Sequence, residues 1–177
     1  IEAHWLFGIP SSKIEVIIHP QSIIHSMVEY KDGSIIAQMG IPDMKIPIAY
    51  ALSCPEHISL DLPRCDLLKE GPLTFEAPDT ERFPCLALAY RALQVGGTMP
   101  AVLNAANEVA VQGFLDDKIS FIDIEGVIER TMDAHSRLEL DTLEDALSAD
   151  SWARECAGMI VHDCAADSVV MRRGSYA

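Results

Sequence analysis

The residues best suited to chemistry lie close together near the beginning of the chain, in the segment HPQSIIHS at positions 19–26. Its imidazoles can relay protons near neutral pH, and its hydroxyls can donate hydrogen bonds to a bound molecule. A serine–histidine nucleophile pair is conceivable, but no G-x-S-x-G motif accompanies it. On residue types alone, a turn followed by a histidine hydrogen-bonded in the core is the plainer alternative.

Metal binding by this segment would need a third ligand. His19 and His25 are six positions apart, which fits neither H-E-x-x-H nor a zinc-finger spacing. Glu2 could serve as a metal ligand or a general base, but no second carboxylate visibly pairs with it, and Mg²⁺ prefers several oxygen ligands. The residues by themselves therefore predict no metal site.

Two further segments carry candidate residues, GIPDM at positions 40–44 and NAANE at positions 104–108. Pro42 and Met44 could form an apolar ledge against a flat ring such as a nicotinamide, with a plain strand-to-helix turn as the alternative. The asparagines are expected to be buried and to tie neighbouring loops, with a ligand site as the alternative. No dinucleotide fingerprint or P-loop is found, so a domain that holds most of a nucleotide cofactor is not in these residues.

The composition excludes several classes of protein. The 177 residues include 13 lysines and arginines against 27 aspartates and glutamates, a formal charge of −14. This acidity argues against a nucleic-acid binder, which needs a basic surface to displace counterions from phosphates. No apolar run approaches the ~20 residues that span a bilayer. The five scattered cysteines suit reduced thiols, so we expect a soluble, cytoplasmic protein without a membrane partner.

The β-branched residues between positions 14 and 40 predict a small sheet. We expect one strand over 14–18, and then a hairpin whose strands cover 23–30 and 34–39 around a turn at 31–33. Strict alternation along the first hairpin strand separates two sets of side chains. One face would carry Ile24, Ser26, Val28 and Tyr30, and the other Ile23, His25, Met27 and Glu29.

Helices are predicted on both sides of a proline-rich stretch. Asp43 is expected to cap a helix over residues 44–53. After residue 79, start signals precede four apolar stripes, which predicts a four-helix bundle. The start signals are Pro84, Pro100, Ser120 with Asp123, and Asp141 with Glu144. The expected buried faces are Leu86, Ala89, Tyr90 and Leu93; Leu103, Ala106, Ala110 and Phe114; Ile124, Val127, Ile128 and Thr131; and Trp152, Cys156, Met159 and Ile160.

Together these elements predict an α+β protein with two bodies. Residues 1–54 would hold the sheet and its helix, residues 55–80 an extended linker, residues 81–166 the bundle and residues 167–177 a frayed tail. The sequence opens in a helix-like stretch without an initiator methionine. We therefore expect it to be a fragment of a longer protein.

Five motifs follow one another along the chain: IEAHWLF at 1–7, IHPQSIIHSMV at 18–28, GIPDM at 40–44, APD at 77–79 and LNAANE at 103–108. These motifs, in this order, resemble the 1-deoxy-D-xylulose 5-phosphate reductoisomerase family. The HPQSIIHSMV and NAANE motifs are the most specific of the five. The resemblance runs in order from residue 1 to about residue 166.

This resemblance implies an enzyme that converts 1-deoxy-D-xylulose 5-phosphate to 2-C-methyl-D-erythritol 4-phosphate in non-mevalonate isoprenoid biosynthesis. It implies NADPH and a divalent cation, Mg²⁺ or Mn²⁺, as cofactors. Ser22 and His25 match family positions at the active-site edge, and Pro42 and Met44 match positions that flank the nicotinamide ring. The family's metal carboxylates and NADPH domain would precede Ile1, so no metal ligand is expected in this chain.

The resemblance also implies an organisation. Residues 1–54 would be the C-terminal part of the catalytic and dimerising domain, and a homodimer would form through residues 14–40. The fragment alone is expected to be inactive. Two other hypotheses are a stand-alone acidic helical scaffold that binds a protein partner, and a metallohydrolase in which His19 and His25 converge on a third donor.

Overall fold

The computed structural model of the protein describes the backbone of residues 1–174 and the side chains of residues 1–166. Contacts between Cα atoms divide the chain into two units. Residues 16–78 form the hairpin unit, and residues 1–15 with the chain from Asp79 onward form the helical unit. The presence of a β-hairpin beside many helices confirms the predicted α+β class. Along the part of the chain described, no helix is both long enough and apolar enough to cross a membrane.

The hairpin unit is built on β1 (Ile24–Glu29) and β2 (Ile35–Met39), which pair antiparallel. The side chain of Asp32 accepts the backbone N–H of Ser34 at 3.0 Å and its hydroxyl at 2.6 Å. Gly33 has a φ of +82°, which glycine adopts without a steric penalty. These contacts confirm the predicted hairpin and its turn.

The expected strand over residues 14–18 is wrong. Ile18 alone pairs, in an isolated antiparallel bridge with Glu76 in which each residue donates one N–H at 2.9 Å. A β-branched composition favours an extended backbone, but a strand also needs a partner of matching length. The partner of Ile18 lies in the stretch that was expected to be a linker.

The expected alternation along β1 is also wrong at one position. Ile24 pairs with Met39, and Ser26 pairs with Gln38, the neighbour of Met39 on β2. His25 therefore has no partner on β2 and is an extra residue in β1. An extra residue of this kind is a β-bulge, which bends the strand and re-aims the side chains around it.

Two short helices complete the hairpin unit. Helix α2 covers Lys45–Ser53 with Met44 at its N-cap position, so the expected cap residue, Asp43, lies one position before the observed N-cap. The Asp43 carboxylate accepts the N–H of Lys45 at 2.8 Å. Helix α3 covers Leu67–Glu70 inside the expected linker. The linker stretch thus carries local structure and groups with the hairpin, although its role as a junction between functional domains stays a prediction.

The helical unit opens with α1 (Glu2–Phe7), which is followed by Gly8 at a φ of +63° and then by a 3₁₀ turn. The helices predicted after residue 79 are all confirmed as elements. The bounds of the elements in the helical unit are α1 Glu2–Phe7, the 3₁₀ turn Ser11–Lys13, α4 Cys85–Val95, α5 Met99–Leu115, α6 Asp123–Ala134 and α7 Leu143–Gly174.

Small residues dominate the core where α5 meets α7. Ala149, Ala153 and Ala157 lie four residues apart on one face of α7 and are buried. Helices whose facing residues are alanines can approach closely, because no long side chain separates their backbones. The buried residues of α5 that share this core are Met99, Val102, Ala105, Ala106, Ala110 and Gly113.

The observed burial corrects several of the expected buried faces. On α5, Ala106 and Ala110 are buried as expected, but Leu103 is half-buried and Phe114 is exposed. On α4 the buried residues are Leu88 and Ala92, and Leu86, Ala89, Tyr90 and Leu93 are half-buried. On α7, Ile160 is buried, Cys156 is half-buried, and Trp152 and Met159 are exposed. The face predicted for α6 is confirmed, with Ile124, Val127, Ile128 and Thr131 all buried.

The last helix begins one residue later than its expected signal. Thr142 and Asp145 form a reciprocal cap, in which Asp145 accepts the N–H of Thr142 at 2.8 Å and Thr142 accepts the N–H of Asp145 at 3.2 Å. This pattern is a capping box, and Asp141 with Glu144 is not. Ahead of α6, the expected pair of Ser120 and Asp123 does make contact, with Asp123 accepting from the N–H of Ser120 at 2.8 Å.

Helix α7 extends beyond residue 166, where a frayed tail was expected to begin. The helical backbone continues through Gly174. The last three residues of the expected tail, 175–177, lie outside the described residues.

Candidate functional site

Ser22 adopts an unusual backbone conformation in the hairpin unit. Its φ is +53°, in the left-handed region that residues other than glycine rarely occupy. Its N–H donates to the carbonyl oxygen of His19 at 3.0 Å, so residues 19–22 form a β-turn. The side chain of Ser22 is exposed. A strained and exposed serine is a candidate for binding, because such strain tends to persist at functional sites.

Thr74 anchors this turn from a distant part of the sequence. Its carbonyl oxygen lies 2.8 Å from Nδ1 of His19. The side-chain amide of Gln21 donates from Nε2 to Oγ1 of Thr74 at 2.8 Å, and its Oε1 accepts the N–H of Thr74 at 3.1 Å. The N–H, the carbonyl and the hydroxyl of Thr74 are therefore all engaged by the turn.

His19 serves the turn through one ring nitrogen. Because a carbonyl oxygen only accepts, Nδ1 of His19 donates the hydrogen bond to the carbonyl oxygen of Thr74. Nε2 is buried and has no hydrogen-bond partner among the described residues. The ring stacks on Phe75 with centroids 4.9 Å apart. These contacts tie His19 to the segment around Thr74 and leave Nδ1 unavailable as a metal ligand.

The residue after Ser22 is the buried anchor of the hairpin unit. Ile23 is 3% exposed, and its carbonyl oxygen accepts the N–H of Gly40 at 2.9 Å. Ile23 directly precedes β1 and Gly40 directly follows β2. The bond therefore joins the two segments that leave the hairpin at the same end.

Pro42 and Met44 lie in the second of these segments. The N–H of Asp43 donates to the carbonyl oxygen of Ile41 at 2.9 Å, which turns the chain between β2 and α2. Pro42 is exposed, and Met44 is 70% exposed. This turn presents two apolar side chains to solvent, the surface that a flat aromatic ring would need.

The four predicted site residues thus come from segments that meet at one end of the hairpin. Ser22 lies in the turn before β1, His25 is exposed at the bulge, and Pro42 and Met44 follow β2. Their roles as catalytic and cofactor-binding residues stay a prediction, but their placement is compatible with one shared site.

The described side chains do not fit a metal centre. Within residues 1–166, no group of three or more His, Cys, Asp or Glu side chains is placed to hold a metal ion. Glu2 lies exposed in the first turn of α1, in the helical unit. We therefore assign no reaction step to a metal held by this chain.

The NAANE segment forms a polar link between two helices, and the expectation of buried asparagines is wrong. Asn104 is exposed and donates to Glu108 at 3.1 Å. Arg154 of α7 donates to Glu108 at 2.7 Å and pairs with Asp150 at 2.7 Å. The hydrogen bonds from Arg154 and Asn104 hold the pKa of Glu108 below its ordinary value. The motif therefore joins α5 to α7.

Thr74 is the member of this arrangement that sequence reasoning missed. It lies between Leu73 and Phe75 in a stretch read as a linker. Its partners are more than fifty positions away in the sequence, and no local pattern marks a contact at that range. The cluster of polar residues at positions 19–26 indicates the turn that contacts Thr74, but it does not indicate Thr74 itself.

Comparison with protein families gives a match over most of the chain. The family model described as the DXP reductoisomerase C-terminal domain matches residues 39–156. The chain is 59% identical over 161 residues to the 1-deoxy-D-xylulose 5-phosphate reductoisomerase of Chlorobaculum tepidum, which covers 91% of this chain and 42% of the relative. It is 61% identical over 157 residues to that of Trichlorobacter lovleyi, covering 89% of this chain and 40% of the relative.

Solved structures agree with these sequences. The fold is similar to 1-deoxy-D-xylulose 5-phosphate reductoisomerase from Zymomonas mobilis in complex with NADPH, with a TM-score of 0.84 and 48% identity over 90% of this chain and 42% of that chain. It is also similar to DOX-P reductoisomerase in complex with NADPH, fosmidomycin and magnesium, with a TM-score of 0.82 and 40% identity over 90% of this chain and 41% of that chain. The chain thus spans about two fifths of the length of these relatives. It belongs to the 1-deoxy-D-xylulose 5-phosphate reductoisomerase family.

Proposed function

We propose that this chain is part of an NADPH-dependent and divalent-metal-dependent reductoisomerase that converts 1-deoxy-D-xylulose 5-phosphate to 2-C-methyl-D-erythritol 4-phosphate. The observation that carries the proposal is the meeting of the turn containing Ser22 and the turn containing Pro42 and Met44 at one end of the hairpin. The family relationship supports it. The enzyme would act in the cytoplasm, in isoprenoid biosynthesis.

Within that enzyme the chain would supply one side of the active site. The exposed hydroxyl of Ser22 would donate a hydrogen bond to the sugar-phosphate substrate, and the imidazole of His25 would orient substrate oxygens or carry a proton between them. Pro42 and Met44 would offer an apolar surface to the nicotinamide ring. NADPH, when bound, supplies the hydride for the reductive part of the reaction. The carboxylates that hold Mg²⁺ or Mn²⁺ would come from residues outside this chain.

The hairpin also supports the proposed homodimer. β1 and β2 expose apolar side chains, among them Val28 at 57% and Ile36 at 62%. Exposed apolar surface of this kind is usually covered by a partner. A second copy of the protein contacting residues 14–40 would provide that cover.

The experiment that tests the proposed function is the replacement His25→Gln in the full-length enzyme. Glutamine keeps a hydrogen-bonding group but does not titrate, so we expect turnover to fall while the protein remains folded. Unchanged turnover together with an unchanged KM for the sugar phosphate would contradict the role given to His25. The stand-alone scaffold is not favoured, because reductoisomerases match about nine tenths of the chain.

A further inference from the structure

We infer that the hydrogen-bonded pair of Gln21 and Thr74 positions Ser22 for substrate binding. This inference rests on the proposed function, in which Ser22 contacts the sugar phosphate. Gln21 and Thr74 themselves are positioning residues, because they act through the turn that they hold.

The contacts of Gln21 leave its amide little freedom. Nε2 donates to the hydroxyl of Thr74 at 2.8 Å, and Oε1 accepts the N–H of Thr74 at 3.1 Å, so both ends of the amide are bound to one residue. Oε1 also lies 3.2 Å from the same hydroxyl oxygen. A side chain held at both ends fixes the backbone that carries it, and the next residue in that backbone is Ser22.

The turn is fixed on its other sides as well. Before Gln21, Ile18 exchanges backbone hydrogen bonds with Glu76, and His19 donates to the carbonyl of Thr74 at 2.8 Å. After Ser22, Ile23 is buried. The pair of Gln21 and Thr74 is therefore the part of the anchor closest in sequence to Ser22 on its N-terminal side.

The conformation of Ser22 explains why this anchor is needed. A φ of +53° brings the Cβ of an L-residue too close to the following carbonyl oxygen. Such a conformation persists only where the surroundings impose it. Without the bonds of Gln21, Ser22 can relax into the extended region, and its hydroxyl then points in another direction. A displacement of about 1 Å at a reacting group can lower the rate by about a hundredfold.

Gln21 and Thr74 are not core residues, so replacing them tests the positioning of Ser22 separately from the general stability of the protein. Thr74 is exposed and Gln21 is half-buried, so neither side chain belongs to a core. The replacement Gln21→Leu removes the hydrogen bonds that both ends of the side-chain amide make with Thr74, and it keeps a side chain of similar size. Gln94→Leu is a matched control, since Gln94 is exposed on α4 in the helical unit.

The test measures steady-state kinetics of the full-length enzyme. We expect Gln21→Leu to lower kcat/KM for the sugar phosphate by about tenfold, with an unchanged KM for NADPH, and Gln94→Leu to change neither. Thr74→Val should lower the same ratio, and Thr74→Ser, which keeps the hydroxyl, should restore it. A loss of kcat/KM that is equal for the sugar phosphate and for NADPH would show a merely structural role and overturn the inference. An equal loss in Thr74→Val and Thr74→Ser would do the same.

A double replacement tests whether the pair acts through Ser22. In a Ser22→Ala background the hydroxyl is already missing, so Gln21→Leu should cause little further loss of kcat/KM. Additive losses would overturn the inference, because Gln21 would then act by another route.

A crystal structure of the Gln21→Leu variant separates this inference from the proposed function. A shift of Ser22 from positive to negative φ supports the inference, and an unchanged φ overturns it. This outcome does not depend on turnover. If the wild-type enzyme fails to convert the sugar phosphate, the proposed function fails, and the conformation of Ser22 in the variant still decides whether the pair positions it.

Discussion

The hydroxyl of Thr98 lies 2.8 Å from Nε2 of His135, and both residues lie at the ends of helices in the helical unit. Thr98 is fully buried, and its N–H donates to the carbonyl of Leu138 at 3.1 Å while its hydroxyl accepts the N–H of Leu138 at 3.2 Å. The ring of His135 packs against Trp152 with centroids 4.8 Å apart. These contacts join the loop before α5 to the loop after α6. Because His135 takes part in them, we expect the free energy of unfolding to depend on pH.

Stability should fall as the pH drops below about 6.5, the ordinary pKa of histidine. Burial lowers the pKa of His135, so the unfolded chain binds a proton at a higher pH than the folded chain does. The stabilising contribution is therefore complete above the unfolded pKa and is lost as the pH falls toward the folded one. Urea unfolding at a series of pH values measures this slope. His135→Gln should reduce the slope, whereas replacing the exposed His162 should not; equal slopes in all three proteins would refute the prediction.

Gly97 should tolerate no side chain. Its φ is +55°, and a Cβ built there would overlap the carbonyl oxygen of Leu138. We expect Gly97→Ala to lower the free energy of unfolding by about 2 kcal/mol or more. Gly126→Ala is the matched control, because Gly126 lies within α6 with open space around it. Alanine should raise stability there by up to about 1 kcal/mol. Similar effects at the two sites, measured by thermal unfolding, would argue against the loop geometry.

Thr142 should contribute to stability as the cap of α7. Thr142→Ala removes the hydroxyl that accepts the N–H of Asp145, and we expect a loss of about 1 kcal/mol. Asp141→Ala should have a smaller effect, since Asp141 is outside the capping box. Chemical unfolding of both variants measures the difference. A larger loss of stability for Asp141→Ala than for Thr142→Ala would contradict the assignment of Thr142 as the cap and would favour Asp141, the residue expected from the sequence.

Replacing Met44 should change the KM for the nicotinamide cofactor and leave the KM for the sugar phosphate unchanged. In the full-length enzyme, Met44→Ser removes apolar surface from the turn after β2, so we expect the KM for NADPH to rise several-fold at an unchanged KM for the sugar phosphate. Leu68→Ser is the control, because Leu68 is 97% exposed on α3 in the same unit. A rise in KM for the sugar phosphate alone would place Met44 elsewhere in the site.

The elements that local chemistry determines were predictable. Lys31-Asp32-Gly33 carries the residues that a hairpin turn requires, and the Asp43 carboxylate accepts the N–H of Lys45 at the start of α2. The helices after residue 79 are preceded by caps or prolines, and their apolar residues repeat at helical spacing. Each of these signals lies within a few residues of the element that it predicts.

The features that decide the site depend on distant or non-periodic contacts. His25 is itself the extra residue of the bulge in β1, which a strict alternation cannot reveal. Thr74 pairs with Gln21 across 53 positions, and the positive φ of Ser22 follows from that anchor and not from the serine itself. On α5, Ala105 is buried and Phe114 is 37% exposed, and the core that contains Ala105 is shared with small residues of α7 that are remote in sequence.

Turnover of 1-deoxy-D-xylulose 5-phosphate, followed as NADPH oxidation in the presence of Mg²⁺ or Mn²⁺, tests the central claim most directly. The full-length protein that contains this chain should consume NADPH only when the sugar phosphate is present. Residues 1–177 alone should show no turnover, because the described side chains provide neither a metal centre nor a dinucleotide-binding motif. Turnover by residues 1–177 alone, or its absence in the full-length protein, would contradict the account.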